Sequence, residues 1–240
     1  MWTAFSNKDL SLPSDQLHLW SVCKNMHEDR ISTYWDILNA TERERALKFR
    51  FQKDRSCFII ARGVLRMLLG NYLGIAPAHI EFQFGPNGKP YVIHSNDIKF
   101  NISHSGDTII LGFIKKHRIG VDVEYTKREV DVKKIAEHFF SEEEVRSLFA
   151  LDQDYHTQAF YNCWTRKEAF IKAVGSGLAF PLDQFVVSLE STKEATLIDT
   201  KWDKEEKEKW MLHAIEPRKD YIGAVSVKGN VAGITSWSYQ

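Results

Sequence analysis

The sequence predicts an α+β fold, because a long helical pattern is followed by short alternating strands in each half of the chain. Residues 54–73 and 155–174 carry apolar side chains at helical spacing, and a glycine follows each run. A proline and then short strands come after each helix. If this repeat reflects a duplication, two similar lobes meet near residue 117 and form a ligand cleft. Helix and strand patterns also recur by accident, so the repeat alone does not decide the matter.

The first half is predicted to form two helices followed by four short strands. Thr41 caps the first helix, with Glu44 three residues later as its capping-box partner, and Gly70 or Gly74 ends the second. The predicted helices cover residues 41–53 and 54–73. The predicted strands cover residues 80–84, 100–102, 108–114 and 119–125.

The second half is predicted to form three helices followed by three strands. Ser141 caps the middle helix, and the acids that follow it suit the positive end of the helix dipole. The charged run 201–209 favours a solvated loop or helix face. The other predicted helices cover residues 132–139 and 155–174, and the strands cover residues 185–189, 210–215 and 221–227.

Composition limits the classes of protein to which the chain can belong. Hydrophobic residues make up 43% of the 240 residues and charged residues 27%, which supports a folded core rather than global disorder. The 32 basic and 32 acidic residues give zero net charge, which argues against a nucleic-acid partner bound through bulk charge. Cys23, Cys57 and Cys163 form no CxxC pair, so we expect reduced, mostly buried thiols and neither a disulfide framework nor a zinc site.

No targeting or membrane-spanning segment is predicted. The start of the chain has no basic region followed by an apolar run. The most apolar stretch, residues 58–73, is interrupted by Arg62 and Arg66. A soluble cytoplasmic protein without a membrane partner is therefore the default expectation.

Two acids on the predicted strand 119–125 indicate a metal site. Asp122 and Glu124 lie two residues apart and therefore share one face of the strand. Adjacent carboxylates raise each other's pKa unless a cation lies between them. Mg²⁺ prefers such oxygen ligands together with waters and substrate phosphates. The alternative is an exposed acidic strand edge.

The long helix 155–174 carries a second candidate group. Glu168 and Lys172 are four residues apart on one helix face, with Trp164 a turn earlier. This spacing fits an ordinary surface ion pair. It also fits a third carboxylate for the metal and a lysine that reaches a phosphate oxygen.

Three further residues are candidates for binding phosphate. His104, in the polar run 101–105, either contacts a phosphate or forms local bonds in a loop. The stiff turn before Pro90 either holds Lys89 towards an anion or leaves it exposed. Arg45, taken alone, is one charge on a solvated helix face.

The order of these motifs is more specific than any one of them. Gly-Lys-Pro, Asn-Ile-Ser-His-Ser, Ile-Gly-Val-Asp-Val-Glu, Phe-Phe-Ser-x-x-Glu and Trp-x-x-Lys-Glu-Ala-Phe-x-Lys occupy residues 88–90, 101–105, 119–124, 139–144 and 164–172. In this order and spacing they resemble the 4′-phosphopantetheinyl transferases of the Sfp type. The resemblance covers residues 40–227, and Gly-Ser-Gly-Leu at 175–178 also matches.

The resemblance implies a pseudo-twofold pair of similar lobes, each a small antiparallel sheet with helices, with the active site at the lobe interface. The N-terminal lobe would cover residues 1–117, and the C-terminal lobe, with the metal site, would cover residues 118–240. The implied enzyme is a monomer that transfers the 4′-phosphopantetheine group of coenzyme A to a serine of an acyl, polyketide or nonribosomal-peptide carrier protein. The carrier changes from the apo to the holo form, and 3′,5′-ADP is released.

The resemblance also assigns roles to the candidate residues. Asp122, Glu124 and Glu168 would bind Mg²⁺ together with the pyrophosphate of coenzyme A. Glu168 would also be the general base on the carrier serine, directly or through water. Lys172 would hold a pyrophosphate oxygen.

Further roles concern the nucleotide and a supporting acid. Ser103 and His104 would meet the phosphates at the adenosine end of coenzyme A. Arg45 and Lys89 would grip the nucleotide. Glu144 matches an acid of the family and is kept as a supporting site residue.

Two local features concern the nucleotide grip and the carrier protein. Glu42 stands where some relatives carry a basic residue. Arg55, Arg62 or Arg66 could supply that positive charge, although Arg62 and Arg66 also suit structural roles.

Carrier domains tend to present an acidic helix. A basic docking patch is therefore expected at Lys127, Arg128, Lys133 and Lys134, around Val130.

Two other functions are compatible with these residues. One is a protein that binds coenzyme A or a carrier without turnover, although the intact acids and Lys172 argue against it. The other is a different Mg²⁺-dependent phosphotransferase or phosphodiester hydrolase, for which the sequence carries neither a Walker-type glycine loop nor a kinase signature.

Overall fold

The computed structural model describes residues 2–5, 10–93, 97–177, 180–190 and 195–240. Leu178, the last residue of the Gly-Ser-Gly-Leu motif, lies outside them. Within these ranges the fold is mixed α+β, as predicted. The first half contains strands β1 Thr3–Ala4 and β2 Gln16–Cys23, helices α1 Ile31–Ile37, α2 Ala40–Leu47 and α3 Gln52–Leu73, and strands β3 Phe82–Phe84, β4 Pro90–Val92, β5 Ile98–Ser105 and β6 Thr108–Lys115.

The second half starts with a strand and ends with one. It contains strand β7 Ile119–Tyr125, helices α4 Val132–Phe139, α5 Glu142–Phe149 and α6 Gln153–Val174, and strands β8 Phe185–Val187, β9 Leu197–Thr200, β10 Trp210–Ile215, β11 Tyr221–Lys228 and β12 Gly233–Tyr239. Short 3₁₀ turns follow both long helices, at Pro77–His79 and Leu182–Gln184.

Two sheets form the frame of the molecule. One has five strands in the order β1, β12, β2, β6, β5, and the other has three in the order β10, β11, β7. Strand β12 pairs in parallel with β2, so the end of the chain returns to the sheet built by the first half. The predicted lobe boundary at residue 117 falls in the short turn between β6 and β7.

The same order of elements occurs in both halves of the chain. Helices α3 and α6 are each 22 residues long, and each ends at a left-handed glycine, Gly74 (φ 66°) or Gly175 (φ 84°). Glycine adopts this conformation without a Cβ clash, which makes it the usual residue after a last helical turn. A 3₁₀ turn, a two-stranded ribbon and an antiparallel strand pair follow each of these helices.

The first helices begin and end at other residues than predicted. Asn39 caps α2, because its side chain accepts from Glu42 N at 2.9 Å while the Glu42 carboxylate accepts from Asn39 N at 3.2 Å. The predicted cap, Thr41, was wrong by two residues, since Asn and Thr are both good caps and the sequence alone does not separate them. The chain also leaves the helix at residues 48–51, which divides the predicted helix 41–53 between α2 and α3.

The apolar faces of the two long helices pack against the sheets and form the core. Trp20, Leu65 and Phe113 belong to the cluster around α3, and Phe170 and Phe185 belong to the cluster around α6. By length and hydropathy alone, α3 could cross a membrane, but 72% of its apolar window is buried inside the molecule. A core helix meets the same criteria, so this property carries no argument for a membrane span.

The cysteines are mostly buried, as composition predicts. All three are free thiols, with Cys57 and Cys163 buried and Cys23 partly exposed. Burial raises the pKa of both the Cys57 and the Cys163 thiol, which keeps them protonated and unreactive.

Candidate active site

The two halves of the chain meet along the free edge of strand β7. Within the described part of the chain, this strand pairs with β11 and with no other strand. On the other side, side chains of β5 bind its backbone: Asn101 Oδ1 accepts from Val121 N at 2.8 Å, and Ser105 Oγ accepts from Tyr125 N at 3.1 Å. Alternate residues of a strand share a face, so the spacing of the Asn-Ile-Ser-His-Ser motif lets it hold β7 at successive points.

The same polar face of β5 holds the two acids of β7. Ser103 Oγ donates to Asp122 Oδ1 at 2.8 Å, and Ser105 Oγ donates to Glu124 Oε2 at 2.7 Å. The Asp122 side chain is only 5% exposed. That burial excludes the exposed acidic strand edge that the sequence also allowed.

Helix α6 adds a cation to this group. Lys172 Nζ pairs with Asp122 Oδ1 at 2.6 Å and donates to Ser103 Oγ at 3.1 Å. The spacing of Glu168 and Lys172 also allowed an ordinary surface ion pair. Instead, the lysine joins α6 to the strand that carries the first acid.

One glycine allows α6 and β7 to approach closely enough for these contacts. A Cβ atom at Gly120 would collide with the backbone of Ala169 and Ala173 on α6. Any other residue would push the helix away from the strand. The Gly of the Ile-Gly-Val-Asp-Val-Glu motif is thus needed to bring the acids of the strand and the helix together.

The carboxyl group of Glu168 has an environment suited to proton transfer. Burial, followed by the charge of Asp122, raises the pKa of Glu168 to about 7, even though Lys172 opposes the shift. Burial likewise raises the pKa of Glu124. An acid with a pKa near the working pH can both accept and release a proton, as a general base requires.

The donor set fits a hard divalent cation. Glu168 Oε1 and Asp122 Oδ2 are buried and have no hydrogen-bond partner among the residues that the structure describes. The described ranges contain no preformed group of three or more His, Cys, Asp or Glu side chains placed to hold a metal. Mg²⁺ does not need one, because it usually binds through one or two carboxylates, waters and substrate phosphates. The free oxygens and the crowded negative charge are therefore consistent with Mg²⁺.

A cavity of about 710 Å³ opens beside Glu124. Arg45 lines it and lies over the Phe58 ring, with its guanidinium carbon 5.4 Å from the ring centroid. Basic side chains outnumber the acidic ones, Asp54, Asp107 and Glu124, along its wall. The basic residues are Lys24, Arg45, Lys53, Arg62, His104 and Arg128. Such a cavity suits a ligand with several phosphate groups.

The structure brings Arg45 and His104, two of the residues predicted to contact phosphates, to one cavity. Desolvation in the cavity, and then the charge of Lys172, lower the pKa of His104. The ring is therefore mostly neutral at pH 7 in the free protein. A bound phosphate would favour the protonated form.

Lys89 lies elsewhere. It lines a second cavity of about 420 Å³ and donates to two backbone carbonyls, Ile119 O at 2.7 Å and Lys172 O at 2.6 Å. The predicted grip on the nucleotide is not the arrangement found in the structure, because both bonds hold protein backbone.

The prediction of Glu144 as a supporting site residue is corrected to a structural role. Its carboxylate pairs with the fully buried Lys167 at 2.7 Å and accepts from Ser141 N and Val187 N. These bonds cap α5 and tie it to α6 and β8. A carboxylate so occupied has no role at the cavity beside Glu124.

The departure at Glu42 has a similar explanation. Glu42 pairs with the fully buried Arg66 at 2.7 Å, and Arg66 also donates to Pro77 O and Ile80 O. Arg66 is therefore structural. Arg62 lies 3.8 Å from the same carboxylate and also lines the cavity, so it contributes to both regions.

Sequence reasoning missed several residues of the site. Asn101 and Ser105 were inside a predicted motif but were given no role, although their spacing on β5 was a usable signal. Lys24 and Lys53 belong to segments that only the folded chain brings to the cavity, and nothing in the local sequence marks them. Arg128 was assigned to the docking patch, yet it also lines the cavity.

Comparisons with known proteins agree with the resemblance of the motifs. A family model described as "4′-phosphopantetheinyl transferase superfamily" matches residues 118–226. A second model, described as "4′-phosphopantetheinyl transferase, N-terminal", matches residues 24–114. The chain is 31% identical over 224 residues to the 4′-phosphopantetheinyl transferase HetI of Nostoc sp., covering 92% of this chain and 91% of that relative. The chain belongs to the 4′-phosphopantetheinyl transferase family.

Other members of the family show similar agreement. The chain is 31% identical to the 4′-phosphopantetheinyl transferase Sfp of Bacillus subtilis, over 72% of this chain and 75% of Sfp. It is 37% identical to a second 4′-phosphopantetheinyl transferase of that species, over 68% of this chain and 70% of the relative. Phosphopantetheinyl transferases move the phosphopantetheine group from coenzyme A to carrier proteins. The carrier proteins thereby change from the apo to the holo form.

Proposed function

We propose that this transferase is Mg²⁺-dependent and uses Glu168 as the general base on the carrier serine. One observation carries the proposal: the half-buried side chain of Glu168 holds a buried oxygen, without a hydrogen-bond partner among the described residues, close to the Asp122 carboxylate with which Lys172 pairs. A serine hydroxyl is a weak nucleophile, so a positioned base is worth about 10²–10⁴-fold in rate.

Asp122, Glu124 and Glu168 would hold the cation. When bound, the divalent ion supplies charge neutralisation for the pyrophosphate of coenzyme A, which is the chief requirement of phosphoryl transfer. Lys172 would share a pyrophosphate oxygen while staying anchored by Ser103. Preorganised groups of this kind stabilise the charge that builds on the leaving phosphate.

The basic cavity would take the nucleotide half of coenzyme A. Arg45 and His104 line its wall together with Lys24 and Lys53, which supports their contact with phosphate groups. Ser103 is hydrogen-bonded to Asp122 and Lys172, so its contact with a phosphate would need that network to open. The departing product would be 3′,5′-ADP.

Transfer can be tested by the mass of a carrier protein. The protein is incubated with coenzyme A, Mg²⁺ and an apo acyl or peptidyl carrier protein, and the carrier is then weighed by mass spectrometry. A gain of one phosphopantetheinyl unit on the serine is expected, and chelating the metal should abolish it. A metal-independent gain would reject the Mg²⁺ requirement while leaving the transfer itself intact.

Mg²⁺ is expected to raise the melting temperature more at pH 8 than at pH 6. Without metal, the pKa of Glu168 lies above its unfolded value of 4.5, at about 7, so its ionisation lowers stability as the pH rises between these values. The metal binds the ionised form, so its stabilising effect grows over the same range. Melting curves with and without Mg²⁺ at both pH values, for the wild type and for Glu168→Gln, measure the difference. Equal shifts at both pH values in the wild type would contradict this ligand set.

We further propose that carrier proteins dock on the basic patch around α4. Lys127, Lys133 and Lys134 are exposed, next to the half-buried Val130. Three exposed lysines near an apolar residue suit the acidic helix that carrier domains tend to present. Acids are interspersed among them: Glu129 and Asp131 flank Val130, and Lys133 lies 3.8 Å from Glu137. Arg128 cannot serve as a clean probe of docking, because it also lines the cavity beside Glu124.

Reversing charge at Lys133 and Lys134 is expected to lower the rate of carrier association by about tenfold or more at low salt. Coenzyme A affinity should stay unchanged, because neither residue lines the cavity. Stopped-flow association and calorimetric titration with coenzyme A measure the two quantities. A loss of coenzyme A binding, or an effect that persists at high salt, would reject the patch.

The repeated order of elements supports two similar lobes related by duplication. In this proposal β2 corresponds to β7, α3 to α6, and the β5–β6 pair to the β10–β11 pair. The monomeric state and the cytoplasmic location remain predictions.

A further inference from the structure

The last turn of α6 is capped by side chains from the turn between β3 and β4. Asn87 Nδ2 donates to Gly175 O at 2.8 Å, and Lys89 Nζ donates to Lys172 O at 2.6 Å. The last carbonyls of a helix have no partner inside it and carry its negative end. A cation there satisfies a carbonyl and favours the helix dipole.

Lys89 also reaches the strand that carries the acids. The same Nζ atom donates to Ile119 O at 2.7 Å, at the first residue of β7. The Ile119 carbonyl lies three residues before Asp122, and the Lys172 carbonyl belongs to the residue whose side chain pairs with Asp122. One amine therefore ties together the backbones of the two elements between which the Lys172–Asp122 bond forms.

The hydrogen bonds of Lys89 fit a fixed clamp better than a mobile phosphate ligand, because both of them hold backbone carbonyls. Among the described residues that line its cavity there is no acid, so no side chain there competes with the two carbonyls for the amine. Burial, followed by the charge of Arg118, lowers the pKa of Lys89 to about 8. Even the neutral amine keeps two N–H donors, enough for the two carbonyls that it contacts.

We propose that Lys89 is a positioning residue, which fixes α6 against β7 so that Lys172 and Asp122 stay in register for transfer. It acts through Lys172 and does not itself bind coenzyme A. This inference rests on the proposed function of the site. It differs from a nucleotide-gripping role in what it predicts for kcat and for coenzyme A affinity.

Lys89→Met is expected to lower kcat by about 10–100-fold, as the loss of an orienting partner typically does. The Kd for coenzyme A, measured by calorimetry, should change by less than about threefold, because Lys89 makes no contact with coenzyme A in this proposal. A threefold change corresponds to about 0.6 kcal/mol of binding free energy. Lys99→Met removes an exposed cation from the wall of the same cavity and should change neither quantity. A tenfold or larger rise in the Kd of Lys89→Met with kcat unchanged would overturn the proposal.

A double-mutant cycle tests whether Lys89 acts through Lys172. If it does, Lys89→Met adds little to the loss caused by Lys172→Met, because the bond that it positions is already absent. Additive losses would contradict the proposal. A wild-type protein that fails to modify any carrier would instead reject the proposed function.

Asn87→Ala decides the matter if Lys89→Met does not fold. Asn87 is exposed and caps the same helix end, so its loss should leave the fold intact. We expect kcat to fall by about two- to tenfold, as for one lost hydrogen bond, with unchanged coenzyme A affinity. An unchanged kcat would contradict the proposal that this turn positions α6, and with it Lys172, for transfer.

Discussion

Replacing Glu168 with glutamine is expected to lower the rate of phosphopantetheine transfer by about 10²–10⁴-fold, the usual contribution of a general base. Glutamine keeps the shape of the side chain but cannot accept the proton of the carrier serine. It also removes one ionised group from the crowded acids, so the folded protein should be at least as stable as the wild type above pH 7. Carrier mass spectra taken over time measure the rate, and melting curves measure the stability.

A matched control separates the base from a general loss of negative charge. Glu142 lies on α5 with its side chain 96% exposed, and Glu142→Gln removes the same charge far from any buried contact. This control should transfer at the wild-type rate. If Glu168→Gln also transfers at the wild-type rate, Glu168 is not the base.

Lys167→Met is expected to destabilise the protein by about 3–5 kcal/mol, the range for removing one partner of a buried ion pair. Its side chain is fully buried and joins the Glu144 carboxylate to the carbonyls of Leu182 and Phe185. Methionine fills similar volume but leaves the Glu144 carboxylate without its counter-charge. Urea unfolding followed by circular dichroism measures the loss.

The stability test also checks the corrected role of Glu144. Arg146→Ala breaks an exposed pair on α5, between Arg146 and Glu142, and should cost less than about 1 kcal/mol. Below its melting temperature, Lys167→Met should transfer phosphopantetheine at a normal rate per folded molecule. A Lys167→Met protein that is stable but has lost transfer would contradict the structural role and show that the Glu144–Lys167 pair is needed for the reaction.

The acids that we propose as metal ligands could be picked out from the sequence because their signal is local. Strand alternation puts Asp122 and Glu124 on one face, and helix spacing relates Glu168 to Lys172. Both relations depend only on residues within a few positions of each other. The order of the motifs then placed these residues in one family, which the relatives confirm.

The roles of Lys89 and Glu144 were not predictable because their partners are distant in sequence. Lys89 bonds to carbonyls of Ile119 and Lys172, and Glu144 pairs with Lys167 from another helix. The local sequence around a lysine on a turn, or around an acid in the first turn of a helix, is the same whether the residue binds a ligand or stabilises the fold. Only the three-dimensional contacts distinguish the two.

The strand order of the five-stranded sheet was not predictable from the sequence, because its partners are also distant in sequence. Strand β12 pairs in parallel with β2, although the two strands lie near opposite ends of the sequence. No local pattern specifies a pairing between residues so far apart in sequence. Within Gly233–Tyr239 the alternation of polar and apolar residues is confined to the last four residues, Ser-Trp-Ser-Tyr, and the sequence predicts no strand there. Long-range strand pairing depends on the packed core, which no local segment of the sequence encodes.

The central claim is that Asp122, Glu124 and Glu168 converge on one divalent ion that binds a diphosphate. Crystals grown with coenzyme A and Mn²⁺ in place of Mg²⁺ would locate the ion directly by its anomalous scattering. The account predicts one peak within coordination distance of Asp122, Glu124, Glu168 and a pyrophosphate oxygen, with Lys172 Nζ within hydrogen-bond distance of the pyrophosphate. A peak at any other group of side chains, or a pyrophosphate bound without an ion at these acids, would contradict it.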